Sequence, residues 1–150
     1  KGLVFSLFIW IFTFYGIYRT ADIFINRYKD KIGFEKFSDI ASLPLLFMLM
    51  HLFLNIISPI QMGFSRYHEH EADRFSLEIR QNNHAAAMSF VKLQEENLAI
   101  PRPGWLYKFW RSSHPSLGDR IDFCNNYRPW EKGKPLKYEV FFSKRTIQNK

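Results

Sequence analysis

Two stretches of the chain run without a charged residue, and everything after them is mixed. Residues 2–18, GLVFSLFIWIFTFYGIY, lie between Lys1 and Arg19. Residues 41–62, ASLPLLFMLMHLFLNIISPIQM, lie between Asp39 and Arg66. A helix crossing the hydrocarbon core of a bilayer needs roughly 17–25 such residues, so both runs predict membrane helices. The second holds Pro44, His51, Asn55 and Pro59. Polar groups in a spanning helix face protein or water rather than lipid, and proline is tolerated where neighbours satisfy the freed backbone. That run is therefore expected to pack against other helices, with His51 a packing or cavity residue. Two spans joined by a connector, residues 19–40, form an antiparallel hairpin with both ends on one side.

From Phe64 the periodicity turns to that of a water-facing helix. One helix is expected over about 64–80, with Phe64, Ala72, Phe75 and Ile79 turned toward apolar packing. A second follows over about 84–98, capped by Asn82 or Asn83, with His84 at its start. AIPRPG reads as a loop and WLYKFWRSS as a short aromatic helix. HPSLGDRIDFCNNY reads as a last helix with Pro115 in its first turn. KYEVFF, near the end, reads as a short strand inside a basic tail. The expectation is an all-α, membrane-associated protein: residues 1–62 carry two transmembrane helices, 63–127 a helical region, and 128–150 the tail.

Composition adds three constraints. With 16 Phe, 7 Tyr and 4 Trp in 150 residues, the slightly negative mean hydropathy conceals two apolar blocks beside a polar remainder. Cys124 is the single cysteine, so no disulfide forms within the chain. The net charge of +7 would suit nucleic acid or an anionic membrane; with no nucleic-acid motif and two apolar runs, the lipid bilayer is the expected partner. Lysine and arginine flank both sides of the second run, so charge does not decide orientation.

The candidate chemistry sits in SRYHEHEADRFSLE, residues 65–78. On a helix, Glu69 and Asp73 are about 40° apart and share a face, whereas His68 and His70 each point about 100° away from Glu69. The two histidines and Glu69 therefore cannot hold one metal ion together; the helix offers Glu69 or one histidine. Zinc takes nitrogen and carboxylate ligands, and a catalytic site uses three from protein plus water. An acid one turn from a ligand can orient a neighbouring histidine. On spacing alone, a Glu-x-x-x-Asp pair is more often plain solvated surface.

The segment resembles the Ser-Arg-x-x-Glu-x-x-Ala-Asp motif of the integral-membrane zinc metallopeptidases, the family of the type I CAAX prenyl endopeptidases and HtpX-type heat-shock proteases. Two further pieces follow in the family's order: Asn-Leu-x-x-Pro at 97–101, and Ser-His-Pro-x-x-x-x-Arg-Ile at 113–121. With the apolar run before them, they cover roughly residues 41–124. The resemblance implies that Glu69 is the third zinc ligand and that Asp73 steadies a zinc-binding histidine. It implies His114 near the substrate or its oxyanion, and Arg120 paired with the acids of the ligand helix. His68 and His70 match no functional position. The family's His-Glu-x-x-His, which carries the other two ligands and the general base, is absent from these residues. The chain thus reads as the C-terminal region of a multi-pass membrane zinc endopeptidase. An N-terminal remainder would supply that motif, and the chain alone would be inactive. A peptide or membrane-protein substrate is implied, in a bacterial cytoplasmic membrane rather than the endoplasmic reticulum. The rival readings are a non-catalytic, membrane-anchored binding protein that has lost the motif, and a helical module that attracts anionic lipid through its basic tail.

Overall fold

The computed structural model describes residues 2–142, and the end of the basic tail lies outside them. It is all-α, with five α-helices and no strand among the described residues: α1 (Gly2–Ile32), α2 (Leu43–Arg80), α3 (Asn83–Asn97), α4 (Trp105–Trp110) and α5 (Leu117–Asn126). The chain divides into two compact units, Lys1–Ile60 and Gln61–Lys150.

In the first unit, α1 buries Ile9, Thr13, Ile17, Ala21 and Ile25, a stripe at spacing four. Ile17, Ala21 and Ile25 pack with Leu45 and Leu49 of α2, and the short link 33–42 makes the helices antiparallel neighbours. The stripe does not stop at Arg19, so α1 continues to Ile32, through about two thirds of what the charge pattern marks as connector. Lys29 and Lys31 favour the negative end of the helix dipole, and Gly33, at φ 78°, ends it. Polar groups inside the apolar runs are matched locally. The Thr13 hydroxyl donates to the Ile9 carbonyl at 2.7 Å, and the Asn55 amide donates to the His51 carbonyl at 2.8 Å. Pro59 has no N–H for the Asn55 carbonyl one turn back, and the Ser58 hydroxyl donates to that oxygen at 3.2 Å.

Both helices are long and apolar enough to cross a membrane. Most of their apolar surface is turned outward: Val4, Phe8, Ile11 and Phe12 of α1 are exposed, as are Phe47, Leu52, Ile56 and Ile60 of α2. A core helix of a water-soluble protein would bury such residues.

The second unit is built on the remainder of α2, which runs without a break from the second apolar run into the polar segment. Its core is Leu77 of α2, Ala87 of α3 and Cys124 of α5, sealed by Phe90, Ile121, Phe123, Tyr127 and Trp130. Asn82 caps α3, its side chain accepting from the Ala85 N–H at 3.0 Å. Asn83 instead donates to the carbonyls of Cys124 and Tyr127, joining α3 to α5. The inward face of α2 differs from the expected one. Ala72, Phe75 and Ile79 are exposed, and Leu77 and Glu78 are buried. Pro115 precedes α5 rather than opening it; Ser116 is the cap, accepting from the Asp119 N–H at 3.2 Å. KYEVFF is a turn followed by helix over 139–142, not a strand. Glu78 explains this: its carboxylate accepts from the N–H groups of Lys137 at 3.1 Å and Tyr138 at 2.8 Å, taking up donors that a sheet would have used.

Two separate sequence pieces meet at Gly118. Its N–H donates to the Pro101 carbonyl at 2.9 Å. A Cβ there would lie 2.8 Å from Arg102 Cγ and 3.0 Å from that carbonyl. Glycine therefore lets the loop after α3 lie against the start of α5.

Candidate functional site

Glu69 and Asp73 lie one turn apart on α2, and both face Arg120 of α5. The Arg120 guanidinium grips Asp73 with two hydrogen bonds, Nε to Oδ2 at 2.8 Å and Nη2 to Oδ1 at 2.6 Å. Its remaining nitrogen, Nη1, reaches Glu69 Oε2 at 3.4 Å. Such a planar fork matches a carboxylate's geometry. The guanidinium also lies over the Phe90 ring of α3, 4.1 Å from its centre. Arg120 of α5 is thus fixed from two other helices, α2 and α3. His114, in the segment before α5, meets the other oxygen of Glu69 through Nδ1 and keeps most of its ring exposed.

The four residues singled out from the sequence therefore come together. Asp73 is fully engaged by Arg120, while Glu69 is shared, Oε2 reached by Arg120 at 3.4 Å and Oε1 by His114. His68 and His70 are elsewhere. His68 packs edge-on against the rings of Phe64 and Tyr67, and His70 packs against Phe123. Arg66 of the Ser-Arg pair, to which no role was assigned, donates from Nη1 to the carbonyls of Lys108 at 2.8 Å and Ser112 at 2.5 Å. It fastens the end of α4 to α2, just ahead of His114.

A second acidic cluster was not foreseen. Glu78 accepts from the Tyr127 hydroxyl at 2.5 Å in addition to its two backbone donors. One face of helix further back, Glu71 pairs with Arg74 at 2.6 Å and Lys137 at 2.5 Å and accepts from the Tyr138 hydroxyl. The signals available were the seven-residue spacing of Glu71 and Glu78, two turns of one helix, and Arg74 three residues after Glu71; the other partners lie 49 to 67 residues away and left no local trace.

Burial, then the Glu78 carboxylate, pushes the Tyr127 hydroxyl up to about 12. Burial, then the negative charge of Asp73, pushes the Cys124 thiol up to about 11. Both groups hold their protons more firmly folded than unfolded. Their contribution is complete below the ordinary thiol value of 9.0 and is lost as pH climbs toward the folded values. Unfolding midpoints measured across the alkaline range should fall above about pH 9, and Cys124 should resist alkylation at neutral pH. Rapid labelling of the folded protein would contradict both the burial and the raised thiol.

Among the described residues, no three of His, Cys, Asp and Glu converge as a metal-binding group. A catalytic zinc takes three protein ligands, so these residues do not complete a site. What they offer is one carboxylate, Glu69, oriented by a fixed arginine.

Known proteins resemble this chain over part of their own length. The model of peptidase family M48 matches residues 4–127. The uncharacterized metalloprotease YhfN of Bacillus subtilis is 32% identical over 120 residues, covering 80% of this chain and 28% of that protein. CAAX prenyl protease 1 of Saccharomyces cerevisiae is 26% identical over 132 residues, 79% of this chain and 27% of its own length. A mouse CAAX prenyl protease 1 homolog is 31% identical over 100 residues, covering 62% and 21%. The chain spans between about a fifth and just over a quarter of these relatives. No solved structure matches it. A family match over most of the chain, together with shared sequence with one metalloprotease and two prenyl proteases, leads to one conclusion: this chain belongs to peptidase family M48, a metallopeptidase family.

Proposed function

We propose that this chain is the C-terminal region of a multi-pass membrane zinc endopeptidase, and that Glu69 is the ligand it contributes to the metal. The observation that carries this reading is the Glu69–Arg120–Asp73 arrangement, with His114 on its open side. Zinc, when bound, supplies a Lewis acid that activates water for attack on a peptide carbonyl. The other two ligands and the general base belong to a His-Glu-x-x-His segment outside these residues, in the rest of a protein several times longer.

The roles of the chain's own groups follow from their contacts. Arg120, locked by Asp73 and Phe90, sets the direction of the Glu69 carboxylate. Asp73 keeps Arg120 in place and offers its outer lone pairs to a metal-bound histidine. His114 turns Nδ1 to Glu69 and leaves the rest of its ring toward solvent, where a substrate carbonyl could accept a hydrogen bond. A peptide or membrane-protein segment is the substrate class. The higher identity to the Bacillus relative than to the yeast one, over similar lengths, favours a bacterial cytoplasmic membrane.

Metal content and peptide cleavage measured side by side on the full-length protein test these roles. Asp73→Ala should lower activity about 10- to 100-fold, as is typical when a group orienting a metal ligand is removed. His114→Ala should keep its zinc and lose about 10²- to 10³-fold in turnover, the usual effect of removing one donor to a developing oxyanion. His68→Ala and His70→Ala should retain most of both. A His114→Ala protein depleted of zinc would place that histidine on the metal instead, and a zinc-loaded but inert parent protein would favour the binding-protein reading.

A further inference from the structure

Residues 111–116, between α4 and α5, form neither helix nor strand, and His114 stands near their middle. Its side chain is 68% exposed, so packing does not fix the ring. The backbone that carries it is fixed instead, by a residue of α2. At the end of α4 the Tyr107 carbonyl accepts from both the Arg111 N–H at 2.7 Å and the Ser112 N–H at 3.2 Å. The Lys108 carbonyl, which Ser112 would serve in a continuing helix, is left over, as the last carbonyls of a helix are. Arg66 Nη1 donates to that carbonyl at 2.8 Å and to the Ser112 carbonyl at 2.5 Å. A terminal guanidinium nitrogen carries two N–H bonds, so one atom serves both acceptors.

The constraint passes on from Ser112 to His114. The Ser112 hydroxyl donates to the His114 carbonyl at 2.7 Å. Two residues of chain reach at most about 7 Å, so pinning Ser112 confines His114. On its other side Ser116 is fixed as the cap of α5. His114 therefore hangs between two anchors, and its Nδ1 meets Glu69. Arg66 and Glu69 are three residues apart on α2, about 4.5 Å of rise. A single helix thus carries both the acid and the residue that pins the segment facing it.

We infer that Arg66 is a positioning residue for His114. It acts through the Lys108 and Ser112 carbonyls and sets the imidazole over the Glu69 carboxylate, where His114 can meet the substrate. This rests on the substrate-side reading of His114.

The test uses the full-length protein with Arg66→Ala, Arg66→Lys, His114→Ala and the double change Arg66→Ala with His114→Ala. Zinc content, kcat and KM for one peptide substrate are measured on each. Amide hydrogen exchange over residues 108–114 is followed in the metal-free proteins. Arg66→Ala should keep its zinc, lose about 10- to 100-fold in kcat, as misplaced groups do, and leave KM little changed. The Arg111 and Ser112 amides should exchange faster. Arg66→Lys restores a charged donor and should recover most of both properties. Adding Arg66→Ala to His114→Ala should cost nothing further, because the two residues act as one unit. A full further loss in that background would make Arg66 a general support of the fold and overturn the proposal. Unchanged exchange in Arg66→Ala, or loss of its zinc, would overturn it as well. If His114→Ala alone keeps full turnover, the substrate role of His114 fails and the positioning role with it. Should Arg66→Ala not fold, Arg66→Gln takes its place, with the same joint change in kcat and exchange expected.

Discussion

Glu69→Ala in the full-length protein should remove zinc and proteolysis together, leaving cleavage at background. Glu69 sits between Arg120 and His114 on the open side of α2. Asp73, one turn away, is committed to Arg120 through both oxygens and cannot take its place. On the proposed assignment, losing Glu69 would leave zinc with two ligands from protein, below the number that holds a catalytic ion. Glu69→Gln separates ligation from charge: the amide keeps an oxygen of the same reach, so it should retain part of the metal yet fall well below the parent. Elemental analysis of the purified proteins beside cleavage of a peptide substrate decides the matter. Full zinc occupancy in Glu69→Ala would sink the assignment, and loss of zinc in His68→Ala or His70→Ala would move it to a histidine.

Glu78→Ala should be the most destabilising single change in the second unit outside its apolar core, by about 2–4 kcal/mol. Its side chain is almost wholly buried and accepts three hydrogen bonds, from the Tyr127 hydroxyl and the N–H groups of Lys137 and Tyr138. Removing the acceptor strands three donors at once and leaves a void, and each unsatisfied buried group costs about 1–3 kcal/mol. Water that reaches the Lys137 turn will recover part of this, hence the lower end of the range. The residues near 137 should detach first. Limited proteolysis should therefore cut the Glu78→Ala protein after Lys134 or Lys137 under conditions that leave the parent intact. Glu78→Gln, which keeps one acceptor oxygen, should fall between. Equal proteolytic resistance in all three would show that Glu78 does not hold this segment.

The parts legible in the sequence were those governed by local rules. Uncharged length foretold the two long apolar helices, and capping preference narrowed the start of α3 to Asn82 or Asn83, of which Asn82 is the cap. The shared face of Glu69 and Asp73 follows from helix geometry. Charge was a poor guide to where a helix ends: the charged residues after Arg19 decorate the outside of α1 while Ala21 and Ile25 continue its buried stripe. The inward face of α2 was misjudged for a related reason. Phe75 looked like core but lies at the surface against Tyr138 and Phe142, while Glu78, to which the sequence reading gave no place, is buried and accepts from the backbone of a distant turn. The arginine clamp was legible only through the family motif; nothing within a few residues of Arg120 predicts that Phe90, thirty positions earlier, lies beneath it.

The close approach at Gly118 leaves no room for even one added methyl. A Cβ there would lie 2.8 Å from Arg102 Cγ and 3.0 Å from the Pro101 carbonyl, so a Gly118→Ala protein can fold only if the loop after α3 lifts from the start of α5, loosening the Arg102 pairs with Asp119 and Asp122 that lie across the same seam.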